Sequence, residues 1–290
     1  MKNEYIKPYP TILGAIHLIV LYTFFQTIID FPFALWDYFH GTTYISNPIK
    51  RIVLSVGSIL FILIYAYKRS NATFKELFPM KRFNPLVLFP VALILLAQQI
   101  YIAPVNIALD KFMAPPSWFL ELFDNIFENK YGFWGVLLRV AVIAPIIEES
   151  IFRGVIMYGL MRNYPKLPAI LLSGLLFGLF HLNPWQFPAT FCLGCVLGWL
   201  MIITNNLLAC ILGHAINNLI VLLYIEYNAI IQTWHFFSLS NTMQLCLAVA
   251  LALFGILLMG AFAYFYRKNT LNYKHFKPNY SKYAFLESNS

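Results

Sequence analysis

The sequence predicts an all-α, polytopic membrane protein with about eight transmembrane helices around a polar intramembrane cavity. Three observations carry that expectation. The 290 residues are 60% hydrophobic and 11% charged, whereas soluble domains carry about 25% charged residues. The apolar residues fall in runs close to the twenty or so that cross the hydrocarbon core. Within three of those runs lie polar residues, which cost free energy at that depth unless they meet a partner or a water-filled cavity.

In chain order the expected spans are 11–31, 51–67, 85–107, 132–161, 166–182, 186–203, 206–224 and 243–266. The first follows Pro8-Tyr9-Pro10 and reads as a retained span, being longer than the apolar core of a cleavable signal peptide. Between the third and fourth spans, 115–130 alternates apolar and acidic residues at helical spacing, which suits a short helix lying in the interface. Only Asn183-Pro184 breaks the fifth span from the sixth. The tail 267–290 is polar, aromatic and basic, and disorder is expected towards its end. The organisation is therefore N-terminal spans and interfacial helix over 1–130, a core over 131–225, and the last span with its tail over 226–290, all within one membrane domain.

The net charge of +8 is a topology signal. With both termini in the cytoplasm, the inward segments carry Lys2, Lys7, Lys68, Arg69, Lys75, Lys81, Arg82, Arg162, Lys166 and the tail's Arg267, Lys268, Lys274, Lys277 and Lys282. The outward segments carry Lys50, Arg51, Lys111 and Lys130. That asymmetry satisfies the positive-inside rule. The basic residues are scattered over short loops and form no patch for nucleic acid, so the lipid bilayer is the expected partner. Cys192, Cys195, Cys210 and Cys246 lie inside apolar runs. The Cys192-x-x-Cys195 pair reads as small residues packing between helices. His17 reads as an interhelical contact, and Arg139 as a structural charge near its helix end.

The fourth span is the one the others surround. It contains Ala144-Pro-Ile-Ile-Glu148-Glu149-Ser-Ile-Phe-Arg153. Glu149 and Arg153 are four residues apart and share a helix face, which offers an ion pair. Glu148 points about 100° away around the helix and remains available for chemistry. The fifth span ends at His181, and the seventh carries His214 and Asn218 on one face. At about 1.5 Å per residue from the cytoplasmic end, Glu148, His181 and Asn218 lie roughly 20–22 Å deep and His214 roughly 14 Å. These side chains are therefore expected to gather at one level. A carboxylate there can act as general base towards water, with an imidazole holding that water. A second imidazole and an amide can donate to a developing oxyanion. A Glu-His-His set of Glu148, His181 and His214 suits Zn2+ with an open water position equally well. Both routes lead to hydrolysis of a carbonyl compound, most simply a peptide bond reaching the membrane.

Glu148-Glu149-x-x-x-Arg153, Phe177-x-x-x-His181 and His214-x-x-x-Asn218, in order on separate helices, resemble the motifs of the CPBP family. Its members are CAAX prenyl endopeptidases of the Ras-converting type and bacterial bacteriocin-processing relatives. The resemblance covers roughly 130–225. It implies an intramembrane endopeptidase acting on a peptide or a prenylated protein, with Glu148 and His181 activating water and His214 and Asn218 stabilising the oxyanion. Glu149, Arg153 and Phe177 would support them. It leaves glutamate-dependent and metallo mechanisms both open, and some bacterial members serve in bacteriocin self-immunity. Two other readings use the same residues: a proton-coupled transporter, against which the lack of an inverted repeat weighs, and a non-catalytic immunity or scaffold protein.

Overall fold

A computed structural model of the chain describes residues 8–42, 47–117, 120 and 132–265. The expected interfacial helix over 115–130 lies outside these residues except for 115–117 and 120, and the tail 267–290 lies outside them entirely. Eight long helices occur among the described residues: α1 (Ile12–His40), α2 (Pro48–Ser70), α3 (Leu88–Phe112), α4 (132–163), α5 (Lys166–Phe180), α6 (Phe187–Thr204), α7 (Leu207–Glu226) and α8 (Asn241–Phe265). The chain is an all-α polytopic membrane protein. Six of the eight, all but α4 and α5, are long and apolar enough to cross a membrane by length and composition. α4 misses because it carries Arg139, Glu148, Glu149, Arg153 and Arg162. α5 misses because its 15 residues reach only about 22 Å.

Local chemistry sets the helix ends. Thr11 caps α1 by accepting from Gly14 N, and the helix stops at Gly41 in the left-handed conformation, which glycine enters without a Cβ penalty. Between α5 and α6, Leu182 takes a positive φ of 50° and Asn183 Oδ1 accepts from Trp185 N and Gln186 N, 3.1 Å each. This is the tight break expected at Asn183-Pro184. α6 ends at Asn205 with φ 45°, and Asn206 caps α7 by accepting from Ala209 N at 2.9 Å.

Packing sorts the helices into centre and rim. Half of α6 is buried, against 11% of the most apolar 18 residues of α1, so α6 is central and α1 presents apolar side chains such as Phe24 and Trp36 outward. α3 packs along α8, α1 along α2, and α5 along α6, while α7 packs against α3, α4 and α6. His17 of α1 meets Tyr65 of α2 edge-on, ring centroids 5.9 Å apart. The N-terminal segment docks on α4: Pro10 covers Gly159, and Asn163 Nδ2 donates to Pro8 O at 2.8 Å.

The α5–α6 crossing holds the site together from behind. A Cβ on Gly194 would fall 2.7 Å from Gly174 Cα, and one on Gly174 would fall 2.7 Å from Cys195 Sγ. The backbones can approach this closely only because both residues lack a side chain. Cys195 therefore fills space at the crossing, as expected from its apolar run. Gly194→Ala is expected to push the two helices apart and cost about 1–3 kcal/mol, the usual range for overpacking. Thermal unfolding in detergent checks it.

Candidate active site

α4 is not a regular helix. Leu138–Ile143 and Ser150–Ile156 are π-helical, and they bracket an α-helical segment, Ala144–Glu149. Such wide turns are rare and are frequent at functional sites. The first has a visible cause. Pro145 has no N–H to give to the preceding turn. Ala144 N already donates to Arg139 O, five residues back, so in the same register Pro145 would have served Val140 O. That carbonyl is taken instead by Asn218 Nδ2 of α7 at 2.8 Å. A sequence feature of α4 thus creates the acceptor that holds Asn218.

Glu149 forms the buried half of the site. Its side chain and that of Arg153 are fully enclosed. Arg153 Nη1 donates to Glu149 Oε1 at 3.1 Å, and Nε lies 3.0 Å from Oε2 but off the line of a hydrogen bond. Arg153 Nη2 donates to Gly194 O of α6 at 2.9 Å, and its guanidinium sits 4.8 Å above the Phe177 ring. The ion pair expected from the four-residue spacing is therefore present, and it also ties α4 to α5 and α6. Phe177 is a hub. Its ring meets those of His181 at 5.0 Å and His214 at 5.6 Å, both edge-on.

Glu148 forms the open half. Its side chain is 17% exposed, beside His181 at 22%. Glu148 Oε2 lies 3.9 Å from His181 Nε2 and 4.0 Å from His214 Nε2, and it has no hydrogen-bond partner. The other nitrogen of each ring is committed. His181 Nδ1 lies 2.9 Å from Phe177 O, a carbonyl that can only accept, so Nδ1 carries the hydrogen. His214 Nδ1 lies 2.8 Å from Glu149 Oε1 and donates to that carboxylate. Both imidazoles thus turn Nε2 towards Glu148, and three basic atoms from α4, α5 and α7 face one another.

The spacing discriminates between candidate occupants. Two atoms bonded to one water at about 2.8 Å lie roughly 4 to 4.6 Å apart. Two ligands on one tetrahedral zinc lie about 3.3 Å apart. As placed, each imidazole is separated from Glu148 Oε2 by a distance that fits a bridging water and exceeds the spacing of two ligands on one zinc. Among the described residues, no group of three or more His, Cys, Asp or Glu is placed to hold a metal ion.

Of the side chains singled out in the sequence, Glu148, Glu149, Arg153, Phe177, His181 and His214 therefore meet in one region, while Asn218, one turn along α7 from His214, bonds to α4 at Val140 O. Residues 130–220 match the family model described as type II CAAX prenyl endopeptidase Rce1-like. Over this stretch the chain is similar to the CPBP family. The matched segment runs from the start of α4 into α7 and holds every side chain of the CPBP motifs. That similarity supports a CAAX-type intramembrane protease in general class. No curated protein and no solved structure matches it.

The sequence reading missed two features of this site. One is the His214–Glu149 bond, which joins residues 65 positions apart and leaves no trace in local spacing. The other is a pair of amides, Gln99 of α3 and Asn217 of α7, which lead up to Asn218. Asn217 could have been noticed as a second buried amide beside the motif asparagine.

Proposed function

We propose that the protein is a glutamate-dependent intramembrane endopeptidase in which Glu148 activates the attacking water. The observation carrying this reading is the unpartnered Glu148 Oε2 facing His181 Nε2 at 3.9 Å and His214 Nε2 at 4.0 Å. A water between Glu148 and His181 gives one hydrogen to each. Glu148 takes one proton as the water oxygen bonds to the scissile carbonyl carbon, and the carbonyl electron pair moves onto its oxygen. That oxyanion is met by the second amide hydrogen of Asn218 and by His214 Nε2–H, the ring having taken a proton from solvent at Nε2 before the attack and keeping it throughout. Collapse breaks the C–N bond, and the proton held by Glu148 passes to the leaving nitrogen. The remaining water hydrogen leaves the new carboxyl group for the amine, so that water is consumed and a carboxylate and an ammonium are released. Glu149 and Arg153 keep His214 in place, and Phe177 seats both imidazoles.

The substrate class in this reading is a CAAX-type prenylated peptide reaching the site through the bilayer. Both termini face the cytoplasm, which the basic inward loops support. The test uses purified protein in proteoliposomes with a fluorogenic peptide bearing a farnesylated cysteine three residues from its C-terminus. In 18O-water the new C-terminal carboxylate should gain one labelled oxygen. Turnover should stay within twofold in a strong chelator, because no step passes through a metal. Loss of turnover on chelation, restored by Zn2+, would sink the glutamate-only mechanism.

A further inference from the structure

The oxyanion reading needs Asn218 held one way round, and the structure contains a device for that. Gln99 Nε2 of α3 donates to Asn217 Oδ1 at 3.3 Å. Asn217 Nδ2 donates to Asn218 Oδ1 at 3.0 Å. Asn218 Nδ2 donates to Val140 O at 2.8 Å. Three amides thus run head to tail and end on the carbonyl that Pro145 leaves without a helical donor. Asn217 is 7% exposed, so water competes little for its bonds.

We propose that Asn217 and Gln99 are positioning residues for the oxyanion donor Asn218. This rests on the hydrolase reading above. If Asn218 flipped, its Oδ1 would face Val140 O and its Nδ2 would face Asn217 Nδ2. Acceptor would meet acceptor and donor would meet donor, so the flip is disfavoured. Turning Asn217 as well would relieve only one of the two contacts, because Val140 O would still face an acceptor. An Asn amide has two hydrogens; with one on Val140 O, the other has a fixed direction. Each bond in such a chain also polarises the next, which makes that last hydrogen a better donor. Neither residue touches the reacting atoms, so their effect runs through Asn218 alone.

The test is a double-mutant cycle with the farnesylated peptide, read as kcat, KM and Tm. Asn218→Ala should lower kcat by about 10²-fold, the scale of losing one oxyanion donor. Asn217→Leu should lower kcat about tenfold with KM within twofold, and Gln99→Leu about threefold. In the Asn218→Ala background, Asn217→Leu should cost nothing more in kcat. The Tm losses of Asn217→Leu and Asn218→Ala should be less than additive, as for residues in one network. An equal kcat loss from Asn217→Leu in both backgrounds overturns the proposal, as do additive Tm losses. Should Asn217→Leu fail to fold, Gln99→Leu runs the same cycle. A wild-type protein that leaves the peptide intact counts against the hydrolase reading, while the Tm cycle still decides the amide chain.

Discussion

Glu148→Gln should lower kcat by about 10²–10⁴-fold, the range for loss of a general base, and leave Tm unchanged. The two halves of that expectation have separate causes. Gln keeps the size of the side chain and one carbonyl oxygen but cannot take a proton from water. The fold loses nothing, since Glu148 is partly exposed and its Oε2 has no hydrogen-bond partner to forfeit. Turnover of the farnesylated peptide and thermal unfolding of the same preparation measure the two halves together. A Glu148→Gln protein retaining more than a tenth of its turnover would remove Glu148 from the chemistry. A protein that unfolded instead would mean that Glu148 carries structure.

Arg153→Met should do the reverse. Arg153 is 1% exposed and Glu149 0%, and breaking a buried pair from one side typically costs about 3–5 kcal/mol. Met matches the stem in bulk, so the loss is electrostatic and polar, not volumetric. It strands the Glu149 carboxylate, leaves Gly194 O without its donor, and removes the cation from the Phe177 ring. Glu149→Gln attacks the same pair from the other end and should cost a similar amount. The double variant Arg153→Met/Glu149→Leu should recover part of the loss, because no uncompensated charge remains. Its turnover should stay low, since His214 Nδ1 then has no carboxylate to hold it. Unfolding measured in mixed detergent micelles separates these outcomes. A single Arg153→Met variant as stable as the wild type would show that the pair is solvated in the folded protein.

The two variants differ so sharply because Glu148 and Glu149, though adjacent, face different surroundings. That division was legible in the sequence. Four-residue spacing joined Glu149 to Arg153, and one step of helical rotation separated Glu148 from both. The eight apolar runs were legible too, because their lengths and the Pro8-Tyr9-Pro10 and Asn183-Pro184 breaks are local features. What escaped was non-local or cooperative. The π-helical turns around Ala144–Glu149 depend on where Pro145's missing donor leaves an orphan carbonyl and on whether a distant amide can reach it. The Gln99–Asn217 bond spans 118 positions, and polar residues so far apart show no periodicity that links them.

The tie between Arg153 and Gly194 O bears on how the protein is made. Taken alone, α4 carries too many ionised groups to partition from the translocon into lipid, and it is absent from the helices apolar enough to do so. Its arginine is fully matched only when the carbonyl of α6 arrives, and its buried glutamate only when the imidazole of α7 does. Both lie later in the chain. Biogenesis must therefore keep α4 sheltered until the helices that follow it have emerged, so that its entry into the hydrocarbon and its assembly with them are a single event.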